Sequence, residues 1–134
     1  MRDQFLQGAG VVLDALSDER VADGWSEPSV LAGQSIGSLA GHLARGSVWV
    51  VEDYLDAVPP AKVDVGSAAE YFAVGVSLSA ADHVAIRARG AAIAGRGHAA
   101  VVEELAQRLD RLHARLAFEP ADREVAVVGG LGIR

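Results

Sequence analysis

The sequence has 134 residues, 51% of them apolar, with 12 basic and 18 acidic side chains giving a net charge of −6, and no cysteine. One domain over residues 1–134 can bury a core at this size without staples, and the missing thiols exclude disulfides, thiolate metal sites and cysteine nucleophiles. The acidic balance argues against nucleic acid, which needs a basic face to displace counterions; every apolar run breaks before the ~20 residues of a membrane helix, and no signal-peptide core follows Met1, so the chain is expected to be cytoplasmic and off the membrane.

Phe5, Leu6, Ala9, Val12, Leu13 and Leu16 recur at steps of three and four, which predicts a first helix over residues 3–21. Asp23-Gly24 should stop it, since glycine tolerates the left-handed conformation at a helix end. Residues 25–34 form a connection broken by Pro28 and Gly33. Ser35 is a good N-cap for a second helix, whose core stripe is Ile36, Leu39, Ala40, Leu43, Val50, Tyr54 and Leu55 and which Pro59-Pro60 ends.

Ser67-Ala68-Ala69-Glu70 matches a capping box and opens a short helix through Tyr71, Phe72 and Val76. Ser79-Ala80-Ala81-Asp82 starts a further helical pattern, with a break at Gly95-Arg96-Gly97. Beyond it Val102, Leu105, Leu109, Leu112 and Leu116 make a packing seam that Pro120 closes. A β-branched run over 124–128 leads to the glycine turn Gly129-Gly130-Leu131-Gly132. No helix follows to present its N-terminus, so this is a turn rather than a dinucleotide loop. No G-x-S-x-G elbow is present for a serine nucleophile.

Among chemistry-bearing residues His42 stands out. Ser35, His42, Gly46, Trp49 and Asp53 lie along one flank of the second helix. Gly41 and Gly46 each cost the helix about 1 kcal/mol relative to alanine, and would let a backbone or ligand come close. Two readings follow: a metal-binding or catalytic imidazole facing a cavity, or a partly buried histidine bonded to a neighbouring helix. By spacing alone the second is commoner. His83, His98 and His113 lack a histidine or carboxylate four residues away, and only Asp110 and His113 make an i,i+3 pair. His98 and His113 fall near the Leu105/Leu109 seam, where satisfied core or edge histidines are expected.

The stretch Trp25-Ser26-Glu27-Pro28-Ser29-Val30-Leu31-Ala32-Gly33-Gln34-Ser35-Ile36-Gly37-Ser38-Leu39-Ala40-Gly41-His42-Leu43-Ala44 resembles the N-terminal, metal-binding domain of the mycothiol-dependent maleylpyruvate isomerase family, within the DinB-like four-helix-bundle group. Gln34 stands where that family usually has Trp, and Ser38 where it has Asp. The resemblance implies an all-α, up-down helical bundle holding one divalent metal, usually zinc, with His42 as the first metal ligand. It also implies an acid-x-x-x-His or His-x-x-x-His pair from a last helix, and mycothiol as co-substrate, its thiol activated at the metal. That helix should follow the turn that ends at Arg134, so the bundle is expected to be incomplete at its C-terminus. The implied function is isomerase or thiol-transferase chemistry on a small molecule, inactive without the missing ligands. The alternative is a non-catalytic helical module that binds a small molecule near His42 and Trp49, or forms a homo-oligomer, a dimer, because three helices leave an apolar face uncovered.

Overall fold

In the computed structural model, which describes residues 1–74, 80–127 and 132–133, the amphipathic segments become four helical rods. The all-α expectation holds, with one pair of two-residue strands added. The first rod is α1 (Arg2–Leu16). It ends five residues before the periodicity predicts, because Ser17 turns its hydroxyl and N–H back onto the Leu13 carbonyl, at 2.7 and 2.9 Å. Asp18 is then extended and caps a separate one-turn helix, α2 (Glu19–Asp23), accepting from the Arg20 N–H at 2.9 Å. Gly24 does end α2, though with φ −88°, so left-handed freedom is not the reason for glycine. A Cβ there would lie 3.0 Å from the Ile36 side chain.

The connection after Gly24 serves the helix that follows. An α-helix leaves its first N–H groups without internal partners. Here Ile36 N–H donates to the Glu27 carbonyl at 2.9 Å, Gly37 N–H to the Trp25 carbonyl at 2.8 Å, and Ser38 N–H to the Ser35 hydroxyl at 3.0 Å. Gly33, at φ +75°, makes the reversal that brings these acceptors back.

The second rod is composite. α3 (Ile36–Ala44) runs into a π-helical turn over Arg45–Trp49, then into α4 (Val50–Asp56). Val50 N–H reaches back five residues to the Arg45 carbonyl, which inserts one residue into the helical repeat. The predicted stripe is therefore correct only in part. Ala40, Ala44, Val48, Trp49 and Leu55 are buried, whereas Leu43, expected in the core, is 42% exposed. Trp49, expected on the His42 flank, turns into the core instead.

α5 (Ala68–Val74) opens with the predicted capping box: Glu70 N–H donates to the Ser67 hydroxyl at 3.2 Å, and the Glu70 carboxylate takes the Gly66 N–H at 2.7 Å. Val76 and Ser79 lie outside the described residues. α6 (Ala80–Ala94) and α7 (His98–Leu116) are separate rods, because Gly97 at φ +87° breaks the chain between them. The uncovered face expected of three helices is thus partly taken by a fourth. α7 supplies Val101, Leu105 and Leu112 to the core, packing on α1 and the π turn.

α6 has little amphipathic character and is held chiefly by α3. Their backbones nearly touch: a Cβ on Gly41 would lie 2.7 Å from the Gly90 carbonyl, and one on Gly90 would lie 2.5 Å from the Ser38 carbonyl. Near the C-terminus β1 (Val125–Ala126) pairs antiparallel with β2 (Gly132–Ile133), Val125 opposite Ile133. Of the predicted turn Gly129-Gly130-Leu131-Gly132, residues 129–131 lie outside the described residues and Gly132 opens β2. Gly132 is pinned by the Asp64 and Val65 N–H groups, which donate to its carbonyl at 2.8 and 3.1 Å.

Gly90→Ala is expected to destabilise the protein by about 1–3 kcal/mol in urea unfolding, because the new methyl meets backbone that cannot step aside. Gly8→Ala is the control, since open space surrounds its Cβ position. It should stabilise by about 0.5–1 kcal/mol. Equal effects of the two would refute the close crossing.

Candidate functional site

The touching of α3 and α6 at Gly41 and Gly90 leaves a wedge where the rods diverge. The wedge is a cleft of about 110 Å³ lined by His42, Arg45, Gly46, Val50, Ile86, Arg89 and Gly90. The π turn builds half of it. By adding a residue after Ala44 it carries Trp49 inward and leaves Gly46 and Val50 beside His42. No atom lies within 4 Å of a Cβ on Gly46, so this glycine keeps open space next to the imidazole. Val50 and Ile86 give apolar walls, and Arg45 and Arg89 bring two guanidinium groups.

His42 is exposed and makes no hydrogen bond among the described residues. Arg45 reaches Asp53 at 3.5 Å, with side chains 36% and 50% exposed. Asp53 is also within 3.7 Å of Arg108, so that carboxylate is shared. Arg89 forms no ion pair among the described residues. Of the flank read from the sequence, His42 and Gly46 come together in the cleft, Ser35 caps α3, Asp53 pairs with arginines, and Trp49 is elsewhere.

Trp49 is only 6% exposed. Its ring lies beneath two guanidinium groups, Arg108 at 5.0 Å and Arg96 at 5.6 Å from the ring centre. These cations belong to a lattice binding α7 to α4. Arg108 reaches Glu52 and Glu104, each at 2.9 Å; Arg111 also reaches Glu52 at 2.9 Å; Arg96 pairs with Glu104. His98 is a satisfied histidine, its Nε2 2.7 Å from the Leu16 carbonyl and its ring edge-on to Trp25 at 5.3 Å. Trp25 in turn donates its indole N–H to the Ala94 carbonyl at 3.0 Å and lies on Gly37. His83 is exposed, and so is His113, which the seam had placed in the core or at its edge.

A structural zinc needs four donors, and a catalytic one three from the protein. Among the described residues no three imidazole or carboxylate groups come together in this way. The remaining residues, 75–79, 128–131 and 134, carry no His, Cys, Asp or Glu side chain. One imidazole beside two guanidinium groups does not fit a divalent cation. Arg45, Val50, Ile86 and Arg89 were not legible as site residues. The first two depend on the π turn and the others lie more than forty positions from His42.

The lattice carries a pH signature. Burial pushes the Glu104 carboxyl up, but the hydrogen bonds and charge of Arg96 and Arg108 outweigh it and hold the group below its ordinary value of 4.5. A carboxylate lowered by folding adds stability that is complete above its unfolded pKa and lost as pH falls through its folded one. Urea unfolding across an acid series should therefore show stability declining below about pH 4.5, and Glu104→Gln should flatten that decline. An unchanged acid limb in the variant would remove Glu104 from the account.

A family model for the mycothiol maleylpyruvate isomerase N-terminal domain matches residues 6–133. No curated protein and no solved structure matched the chain. No helix among the described residues is long and apolar enough to cross a membrane. The match takes in the rods, the glycine crossing and the cleft with its histidine, and the chain belongs to the mycothiol maleylpyruvate isomerase N-terminal domain family.

Proposed function

We propose that this chain is a mycothiol-related domain that binds a small molecule in the His42 cleft, with chemistry of the isomerase or thiol-transfer kind on a thiol adduct. The observation that carries the reading is the position of His42. The histidine that the family motif specifies stands, exposed and without a hydrogen-bond partner among the described residues, at a cleft between two rods. An exposed imidazole in such a place can take or give a proton at a bound molecule, or serve as a ligand. Gly46 allows the ligand to approach the helix backbone, and Val50 and Ile86 cover its apolar part. The metal that the family resemblance implies would have His42 as its sole imidazole or carboxylate donor in the cleft among the described residues.

A second reading, a non-catalytic module that pairs with another copy, is favoured by one observation. An open groove of about 710 Å³ runs between the start of α1 and the end of α7, past Met1, Phe5, Val51 and Leu116. Phe118, two residues beyond α7, is 89% exposed. A dimer in sedimentation equilibrium would support this reading, and a monomer at high concentration would remove it.

The cleft is tested by isothermal titration with mycothiol and by one plugging variant. Gly46→Leu places a side chain in open space, so the fold should persist while binding is lost; His42→Ala should weaken binding without lowering the melting temperature. Mycothiol binding that survives Gly46→Leu would place the functional site elsewhere.

A further inference from the structure

We infer that the groove between α1 and α7 is the socket of a symmetric pair: the Phe118 ring of a second copy fills it, while that copy's groove takes the first ring. The inference rests on the reading that the chain pairs with another copy. It goes further by naming the face, the side chain that enters and the surface that receives it.

The ring is held out in water by a built turn. The Phe118 and Glu119 N–H groups both donate to the Arg115 carbonyl, at 3.0 and 3.2 Å. From the α1 side of the groove, the Arg2 guanidinium donates to the carbonyls of Leu116 at 2.7 Å and Pro120 at 2.9 Å, and also to that of Glu119. The Glu119 carboxylate is tied to Arg115 at 2.8 Å and to Arg123 at 3.8 Å. The backbone is thus fixed on both sides of Phe118, yet the ring is 89% exposed. A phenyl ring in water forgoes the burial that drives folding. A turn fixed beforehand lowers the ordering cost of docking that ring elsewhere, and the same clamp keeps the ring from folding back over its own groove.

The groove supplies the matching hole. Its open volume is about 710 Å³, room for a phenyl ring and the chain beside it. Phe5, Val51 and Leu116 in its lining pack against the core, so an entering ring extends that core outward. Leu116 and Ala121, both in the lining, bracket Phe118 in the chain, which puts knob and hole side by side on one face. Such a face is self-complementary about a two-fold axis, and a pair built on it closes without leaving a free socket.

Area and charge agree with this occupant. A buried phenylalanine removes about 150–250 Å² from water and covers a comparable area of its socket, so two exchanges bury about 800 Å² before the rim is counted. That approaches the ~1,000 Å² of a small specific interface, which sets the affinity in the micromolar range. The groove lining holds one cation and one carboxylate, Arg2 and Asp3, and Glu119 is neutralised beside the ring. The face is therefore close to balanced in a chain of net charge −6. Two such chains repel through the rest of their surfaces, and salt screens that repulsion.

The test uses the whole chain in sedimentation equilibrium. The wild type should dimerise in the micromolar range, and more tightly in high salt than in low. Phe118→Ser removes the knob and Ala121→Glu puts a charge in the hole; each should weaken pairing about tenfold or more. Both positions are exposed, so neither variant should change the melting temperature of the dilute protein. Mixed together, the two variants should form a heterodimer, since one keeps the groove and the other keeps the ring. A dimer untouched by Phe118→Ser leaves pairing to another face and overturns the inference alone, whereas a wild-type monomer at high concentration overturns the pairing reading with it. A mixture that stays monomeric, a dimer loosened by salt, or an apolar dye that binds the monomer and is expelled by Ala121→Glu would each overturn the inference too.

Discussion

The architecture depends on the contact of α3 and α6, where the helices meet backbone to backbone. Side chains normally hold helix axes 8–10 Å apart, and here Gly41, Gly90 and the buried Ser38 remove that spacer. α6 has no strong apolar face with which to attach itself, so close approach substitutes for a large hydrophobic contact. Dispersion is strong at short range and each atom pair gains little alone, so a Cβ at the crossing would disturb many favourable contacts together. The price of this mode of attachment is low tolerance of substitution at three small residues. Its benefit is that rods in contact at one point must diverge from it, and the divergence is the cleft.

Around that contact the N-terminal connection acts as a fastening. Trp25 lies on Gly37, donates to the end of α6 through its indole, and takes a backbone N–H of α3 on its carbonyl. One residue thereby ties α3 to α6 and sits edge-on to His98, which in turn holds the end of α1. Ser38 donates its hydroxyl to the Gln34 side-chain carbonyl at 3.4 Å. The small serine suits the place where α6 passes over it, where an aspartate would be buried against the Gly90 backbone. Burial of a charge without a paired partner is costly, so an uncharged residue suits position 38.

Much of this was legible in the sequence, and the failures have definite causes. Helix positions followed from apolar spacing, and Ser35, the Ser67–Glu70 box and the Gly95–Gly97 break followed from capping and glycine chemistry. The break at Ser17 and Asp18 was missed because periodicity continues through it while local hydrogen bonds do not. Leu43 and Trp49 exchanged expected environments because a helical wheel assumes a constant 3.6-residue repeat, and the π turn violates it. Glycine at positions 41 and 46 was rightly taken as room for a close neighbour, but the two serve different neighbours: α6 at one, open space at the other. The arginines of the cleft could not be assigned from spacing, since one comes from a helix whose placement depends on tertiary packing.

The π turn also sets the register of all that follows it. A helix that carries one surplus residue keeps its two halves in independent registers. Deleting Gly46 would restore an uninterrupted α-helix and turn everything beyond it by about 100° about the axis. Glu52 would then swing away from Arg108 and Arg111, and Trp49 would leave the space beneath its two cations. The surplus residue is thus locked in place by what lies beyond it: removing it would undo the ion pairs and the ring contact on α7 together.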